Sequence, residues 1–231
     1  MKGDVQTRDF RGHSFQFIEG EEHASVFTFE DEQALRDTFW NIQEGDVVYD
    51  VGAAYGSYAL PALALGATVY AFEPLTRLYD AMEANVRANS FDKFHLYRVA
   101  LGNVEKEGNL TQELMAHGSS IKAASVDGNN HSVPFRTLDS YLGKIEPPTW
   151  VKLDVEGQEL DVIEGGRETF RKYRPKLLAE IHLGVIGIDH YMRINGVYED
   201  IQRFLKRLGY HITEHPYGGR LHIYANLEVT N

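Results

Sequence analysis

The chain has 231 residues, of which 43% are apolar and 25% charged, as in a globular protein with a sizeable core. Its net charge is -11 and it has no long basic run, which disfavours electrostatic binding to nucleic acid. The absence of cysteine excludes disulfides, thiolate metal sites and a cysteine nucleophile. Without a signal-peptide pattern or an apolar run of about 18 residues, we expect a cytoplasmic protein with no membrane span.

The first part of the chain is predicted to be a small extension of the main domain. Ser14–Ile18 and Ser25–Phe29 alternate apolar and polar residues, which is typical of half-buried antiparallel strands. A helix is expected over Glu30–Asn41. We therefore expect residues 1–44 to be a β/α extension and residues 45–231 to be the principal part of one domain.

From residue 45 onward, strands alternate with helices. Strands are predicted at Val47–Val51, Ala67–Phe72 and Phe94–Leu101, with helices at Ser57–Leu65 and Leu75–Asn89 between them. The first strand is apolar without alternation, as in a strand buried on both faces of a parallel sheet. This βαβαβ order is the half-unit of a doubly wound fold.

The alternation resumes after a long irregular segment. Residues 103–146 contain clusters of Gly, Ser and Asn, and they are predicted to form a loop with short strands. The later elements are predicted in this order: strand Trp150–Asp154, helix Gly157–Lys172 interrupted near Gly165, strand Lys176–His182, an irregular segment at residues 184–196, helix Val197–Leu208, and a hairpin of Tyr210–Thr213 and Leu221–Leu227. The sequence therefore predicts an α/β fold with a doubly wound, mostly parallel seven-stranded Rossmann-like sheet and an antiparallel C-terminal hairpin.

A glycine turn follows the strand at Val47–Val51. It consists of Asp50-Val51-Gly52-Ala53-Ala54-Tyr55-Gly56-Ser57. Gly52 and Gly56 are spaced like the second and third glycines of a nucleotide-binding turn. Asp50 replaces the first glycine, and a carboxylate there suits an ammonium or hydroxyl group better than a pyrophosphate. The turn therefore favours S-adenosylmethionine over NAD, and a dehydrogenase is disfavoured.

A second carboxylate ends the next strand. Glu73 follows Phe72 and precedes Pro74. An acidic residue at this distance from the glycine turn is typical of a site that accepts two hydrogen bonds from the ribose of adenosine. The combination of the turn and Glu73 therefore predicts an adenosine-containing cofactor.

Several motifs together resemble one known family. They are Asp50-Val51-Gly52-Ala53-Ala54-Tyr55-Gly56, Phe72-Glu73-Pro74, Thr137-Leu138-Asp139, Lys152-Leu153-Asp154-Val155-Glu156-Gly157-Gln158-Glu159, Glu164-Gly165-Gly166 and Ala179-Glu180-Ile181-His182. Their order over residues 45–183 is similar to that of the FkbM-type methyltransferases, although family members often have Asn at position 54. The resemblance implies a class I S-adenosylmethionine-dependent fold and O-methylation of a natural product, sugar or glycolipid.

The resemblance also implies roles for the cofactor-binding residues. Asp50, Gly52 and Ala53 would line the methionine end, and Glu73 would hold the ribose. Asp154 would lie near the methionine ammonium group or the reacting hydroxyl. The remaining expected cofactor contacts are Ala54, Gly56, Ser57 and Pro74 around the turn, with Ala100 and Leu101 facing the adenine. The product would be S-adenosylhomocysteine.

Methyl transfer to a hydroxyl also needs a group that removes the acceptor proton. The candidates are Lys152, Asp154, Glu180 and His182, on two strands that are expected to be neighbours. His182 is favoured as the base, because imidazole exchanges protons near neutral pH, with Glu180 orienting it or the substrate. The other histidines are expected to be solvated or packed: His117, His190, His211, His215 and His222.

Two alternatives remain for these polar residues. Lys152 and Glu180 could form a structural ion pair, or Asp154, Glu156 and Glu180 could hold Mg²⁺ or Ca²⁺. We expect no metal as the favoured case. Protein methylation and non-catalytic cofactor binding are the alternative functions, and no nucleic-acid partner is expected.

Overall fold

The computed structural model describes residues 5–18, 33–109, 132–182, 188–217 and 220–227. The chain divides into two compact units, Met1–Arg98 and Val99–Asn231. The expected boundary at residue 44, between the N-terminal extension and the principal part of the domain, stays a prediction. The largest sheet has seven strands. The predicted α/β class with a mostly parallel seven-stranded sheet is confirmed. Among the described residues, the helices lack the length or hydrophobicity that a bilayer span requires.

The first unit combines a hairpin with a βαβαβ segment. In chain order its elements are β1 (Val5–Phe10), β2 (His13–Ile18), α1 (Gln33–Phe39), β3 (Val47–Val51), α2 (Ala59–Ala64), β4 (Thr68–Phe72), α3 (Thr76–Asn89) and β5 (Phe94–Tyr97). Strands β3, β4 and β5 pair in parallel, and every residue of β3 is buried. This explains why β3 shows an unbroken apolar pattern.

Two asparagines on α3 attach the hairpin to the first unit. Asn85 Oδ1 accepts a hydrogen bond from Ile18 N at 2.6 Å, and Asn89 Oδ1 accepts one from Gln16 N at 2.6 Å. The two asparagines lie one helical turn apart, so both face the same strand edge. Asn85 Nδ2 also donates to the carbonyl oxygen of Tyr55 at 3.1 Å, which connects α3 to the glycine turn.

The second unit contains a small sheet, three helices and the remaining strands of the large sheet. Its elements are β6 (Ala100–Gly102), β7 (Lys106–Asn109), β8 (Ser132–Thr137), a short 3-10 helix (Leu138–Tyr141), β9 (Trp150–Leu153), α4 (Glu159–Gly165), α5 (Arg167–Tyr173), β10 (Lys176–Ile181), α6 (Ile188–Arg207), β11 (Tyr210–Tyr217) and β12 (Arg220–Leu227). Strand β10 pairs in parallel with β9 and antiparallel with β12. The predicted C-terminal hairpin is confirmed by the antiparallel pairing of β11 with β12.

The predicted strand Phe94–Leu101 is wrong in one respect, because the chain forms two strands there. Phe94–Tyr97 belongs to the large sheet, whereas Ala100–Gly102 pairs in parallel with β8 in a separate three-stranded sheet. The apolar pattern continues through Val99, so periodicity alone does not mark the break. Short strands within residues 103–146 are confirmed where they are described, and residues 110–131 lie outside the described residues.

Two other expectations need correction. The strand His13–Ile18 pairs with Val5–Phe10, which the sequence prediction missed, and Ser25–Phe29 lies outside the described residues. The segment 184–196 was expected to be irregular, but a helix begins at Ile188 and continues to Arg207. Gly196 lowers the helix propensity inside this helix, which explains why the sequence pattern predicts helix only after it.

Gly165 and Gly166 lie where α4 ends and α5 begins. Steric crowding explains why both residues are glycine. A Cβ atom added at Gly165 would lie 1.9 Å from the carbonyl oxygen of Gly102, and one at Gly166 would lie 2.9 Å from a side-chain carbon of Leu138. Backbone and core therefore approach too closely for any side chain at these two positions. This part of the family-like pattern is explained by packing.

Asp139 anchors the start of α5 from the short 3-10 helix. Its Oδ2 accepts a hydrogen bond from Glu168 N at 3.0 Å. Its Oδ1 accepts from both Thr169 N and Thr169 Oγ1 at 2.8 Å. A carboxylate that accepts from the first backbone amides of a helix stabilises that helix, because those amides have no partner inside it. The Thr137-Leu138-Asp139 motif is thereby explained as a structural anchor.

We expect Asp139→Ala to lower the free energy of unfolding by about 1–2 kcal/mol, the usual effect of removing a helix cap. Asp139→Asn should have a smaller effect because its amide oxygen still accepts a hydrogen bond. Chemical denaturation measures both, with the exposed Asp92→Ala as control. Equal stability of Asp139→Ala and the control would contradict this role.

Candidate functional sites

The glycine turn of the first unit has an unusual backbone. Gly52, Ala54 and Gly56 have positive φ angles of 76°, 47° and 91°. Such angles are common for glycine but rare for alanine, so Ala54 is held in place by its surroundings. Gly52 N and Ala53 N both donate to the carbonyl oxygen of Phe72, at 3.0 and 3.3 Å. The turn is therefore fastened to the end of β4.

Glu73 provides the partner that holds Ala54. Its side chain is buried, and Oε2 accepts a hydrogen bond from Ala54 N at 2.9 Å. Oε1 accepts from Leu75 N at 2.9 Å, just before α3 begins. Glu73 therefore has a structural role, which the sequence prediction missed, and its contact with a ribose stays a prediction.

The other predicted cofactor residues divide between the two units. Asp50 lies inside β3 and is 1% exposed, beside Ala71 in the sheet register. The first unit also contains the other predicted residues in the loops that follow β3 and β4, namely Ala53, Ala54, Gly56, Ser57 and Pro74. Ala100 and Leu101 lie in β6 of the second unit and are buried, where they pair with Phe135 and Arg136. Their contact with adenine stays a prediction.

In the second unit, acidic side chains surround one histidine. This His182 cluster consists of Asp154, Glu156, Glu159, Glu180 and His182. Nδ1 of the histidine lies 2.9 Å from Glu159 Oε1. Nε2 lies 3.1 Å from Glu180 Oε1, 3.3 Å from Glu156 Oε2 and 3.8 Å from Asp154 Oδ1. Parallel β9 and β10 bring these residues together, because Asp154 follows β9 and His182 follows β10.

Side chains behind the cluster hold its carboxylates. Lys152 Nζ lies 3.3 Å from Asp154 Oδ2, and this pair is largely buried. His222 Nε2 lies 3.2 Å from Glu180 Oε2. The register places His222 directly opposite Glu180 on β12. Lys152 thus forms an ion pair with Asp154, and the pair with Glu180 that was the alternative stays a prediction.

A tight turn after β9 places the carboxylates of Glu156 and Glu159 next to His182. Glu156 and Gly157 both have positive φ angles, 56° and 104°. Gly157 N donates to Glu159 Oε1 at 2.9 Å, and Glu159 is 1% exposed. The chain therefore reverses after β9, so that Glu156 and Glu159 approach opposite nitrogens of the imidazole ring.

The surroundings of His182 change its protonation. Burial is the largest influence and disfavours the charged form. Hydrogen bonds to Glu159 and Glu180 and the charges of Glu159 and Asp154 outweigh it, and they raise the pKa of His182 to about 11. At neutral pH, such a ring carries a proton on each nitrogen and cannot accept another. The predicted role of His182 as a base therefore requires that this proton first be displaced.

Sequence reasoning brought together Lys152, Asp154, Glu180 and His182 but missed two of their neighbours. Glu159 belongs to a quoted motif, yet its spacing from His182 gives no sign of contact. His222 was expected to be solvated or packed, and only the antiparallel register places it against Glu180. His222 could have been identified only from the residue-by-residue pairing of β10 with β12, which places it opposite Glu180.

Comparison with known proteins adds family information to this geometry. The family model described as the Methyltransferase FkbM domain matches residues 50–212. The hexuronic acid methyltransferase AglP of Haloferax volcanii is 29% identical over 151 residues, which cover 62% of this chain and 59% of that protein. This chain therefore matches less than two thirds of that relative's length.

Solved structures agree on the fold. A methyltransferase FkbM from Methylobacillus flagellatus superposes with a TM-score of 0.62 at 16% identity, covering 90% of this chain and 50% of that chain. Fibrillarin from Aeropyrum pernix, solved with natively bound S-adenosyl-L-methionine, superposes with a TM-score of 0.54 at 16% identity, covering 96% and 82%. Both share the α/β architecture described above.

Proposed function

This chain belongs to the FkbM methyltransferase family, and from that premise we propose that it is an S-adenosyl-L-methionine-dependent O-methyltransferase acting on a sugar. The observation that carries the proposal is the buried Glu73 carboxylate at the end of β4, which holds the glycine turn through Ala54 N. The similarity to a hexuronic acid methyltransferase supports a sugar acceptor, free or carried on a lipid.

The proposal assigns the cofactor to the glycine turn. Asp50, Gly52 and Ala53 contact its methionine part, and Glu73 accepts hydrogen bonds from the ribose hydroxyls. A carboxylate suits both tasks, because the methionine ammonium and the ribose hydroxyls are donors. The surrounding contacts are assigned to Ala54, Gly56, Ser57 and Pro74, with Ala100 and Leu101 at the adenine and Asp154 near the ammonium or the acceptor.

The proposed reaction is a displacement at the sulfonium methyl group. The acceptor hydroxyl oxygen forms a bond to the methyl carbon while the carbon–sulfur bond breaks. Its electron pair stays on sulfur and gives S-adenosylhomocysteine. The hydroxyl proton leaves to the His182 cluster, which includes Asp154 and Glu180, and Lys152 beside the cluster holds Asp154. Because the cofactor brings the activated methyl group, the protein contributes alignment and proton removal.

The cofactor assignment is tested by calorimetry with S-adenosyl-L-methionine. We expect micromolar or tighter binding to the wild-type chain and at least tenfold weaker binding to Glu73→Gln. The amide cannot replace a charge-assisted acceptor, a loss of about 1.5–3 kcal/mol per hydrogen bond. Glu83→Gln, an exposed glutamate in the same unit, should bind as the wild type does.

Thermal unfolding of the Glu73 variant must accompany this measurement, because Glu73 also holds Ala54. A chain that binds NADH and ignores S-adenosyl-L-methionine would overturn the proposal. Normal cofactor affinity in a folded Glu73→Gln variant would remove Glu73 from the cofactor site.

The acceptor class is tested by transfer of a labelled methyl group from S-adenosyl-L-methionine. We expect product with hexuronic acids or glycans that contain them, and less product with matched sugars whose hydroxyls are blocked. The position of the methyl group, determined by mass spectrometry and NMR, should be a hydroxyl oxygen. Methylation of the sugar carboxylate instead would contradict O-methylation of a hydroxyl while leaving the methyltransferase assignment intact.

We expect His182→Ala to lower turnover by about 10²–10⁴-fold, the usual range for loss of acid–base assistance. Its affinity for S-adenosyl-L-methionine should stay within about twofold of the wild type, since none of the proposed cofactor contacts is assigned to His182. The exposed His13→Ala serves as control. Unchanged turnover in the folded His182 variant would exclude this histidine from the reaction.

A further inference from the structure

From the His182 cluster we infer that this chain binds a divalent cation of the Mn²⁺ type through Asp154 Oδ1, Glu180 Oε1 and His182 Nε2. Ligand atoms of these three residues all lie within 4.8 Å of one another, which is close enough for them to share one ion. The inference deepens the proposed function, on which its catalytic meaning rests. It names the group that would activate the acceptor hydroxyl.

His182 Nε2 is buried, and three carboxylate oxygens lie within 3.8 Å of it. A single N–H group can point at one acceptor only, whereas these oxygens approach from three different residues. A cation bound among the ligand atoms would interact with the nitrogen and with several oxygens at the same time.

The atoms of the three proposed ligand residues that face away from the cation position contact other side chains. His182 Nδ1 is held by Glu159, Glu180 Oε2 by His222, and Asp154 Oδ2 by Lys152. This arrangement leaves one atom of each proposed ligand directed inward. Metal-binding histidines usually have such a carboxylate on their second nitrogen, because it selects the tautomer and orients the ring.

The His182 cluster concentrates negative charge, because it contains the four carboxylates of Asp154, Glu156, Glu159 and Glu180. Glu159 and Glu180 are 1% and 4% exposed, so solvent does little to reduce the repulsion. Burying several acids together is costly without a neutralising cation, and a divalent ion provides two charges in one place.

The ligand types select the class of ion. Two carboxylates and one imidazole combine the oxygen ligands that suit Mg²⁺ and Mn²⁺ with the nitrogen ligand that suits transition metals. Mn²⁺ accepts both kinds. Three protein ligands leave positions open, and an acceptor hydroxyl bound there would become more acidic. His182 would then act as a ligand, and the bound cation would take the place of the proton on Nε2.

The test uses the full chain and Mn²⁺ alone as probe. After dialysis against EDTA and removal of the chelator, loss of the free Mn²⁺ signal in electron paramagnetic resonance measures binding. We expect one bound ion per chain, and at least tenfold weaker binding in Asp154→Asn, because even outer-shell changes cost about 10–100-fold. Glu168→Gln, an exposed glutamate of the same unit, should bind as the wild type does.

Asp154 is partly exposed and Asn has nearly the same shape, so this variant should fold. His182→Gln provides a second variant, and circular dichroism with thermal unfolding checks both. Absence of Mn²⁺ binding at hundreds of micromolar, or equal binding by wild type and both folded variants, would overturn the inference.

Calorimetry with S-adenosyl-L-methionine in EDTA separates the two proposals. Cofactor binding and methyl transfer that persist in EDTA, without Mn²⁺ uptake, would reject the cation and retain the proposed function. Mn²⁺ uptake by a chain that ignores S-adenosyl-L-methionine would support the cation site and reject the proposed function.

Discussion

The first unit depends on one carboxylate that fixes two backbone segments. Glu73 accepts a hydrogen bond from Ala54 in the glycine turn and another from Leu75 before α3. Because its side chain is buried at the end of β4, the turn cannot move without leaving buried donors and acceptors unsatisfied. Ala54 tolerates a left-handed conformation in this setting. The proposed cofactor site is therefore organised before any ligand binds, which reduces the entropy lost on binding.

A different constraint applies in the second unit, where the negative charge of buried carboxylates must be neutralised. Four carboxylates surround His182, and partners on β9, β12 and α4 hold their outer atoms or the ring itself. Without an added cation, this environment favours a doubly protonated imidazole and raises the pKa of His182 to about 11. The proton on His182 Nε2 and the inferred metal ion are thus two alternative ways to reduce the repulsion among these carboxylates. Either one explains why so many acidic groups can be placed together in a protein interior.

Family membership and site geometry carry different parts of the functional argument. The FkbM domain match covers residues 50–212, and the proposal of a sugar acceptor rests on the similarity to a hexuronic acid methyltransferase. Packing explains the residues of two motifs whose role the sequence pattern alone does not reveal. Asp139 anchors α5, and Gly165 allows close approach of the Gly102 carbonyl group. The motif residues that remain for chemistry are those around the glycine turn and His182, which is where the proposals are concentrated.

The sequence by itself determined the fold class, the order of most elements, the glycine turn and the acidic residues that end the strands. These features depend on local periodicity and on spacing along the chain, which a sequence contains directly. Only the tertiary structure decided that Val5–Phe10 pairs with β2, that Ala100–Gly102 leaves the large sheet, and that a helix begins at Ile188. It also brought Glu159 and His222 to the His182 cluster. Pairing register and burial act between residues far apart in the chain, and they set both the protonation and the contacts of His182.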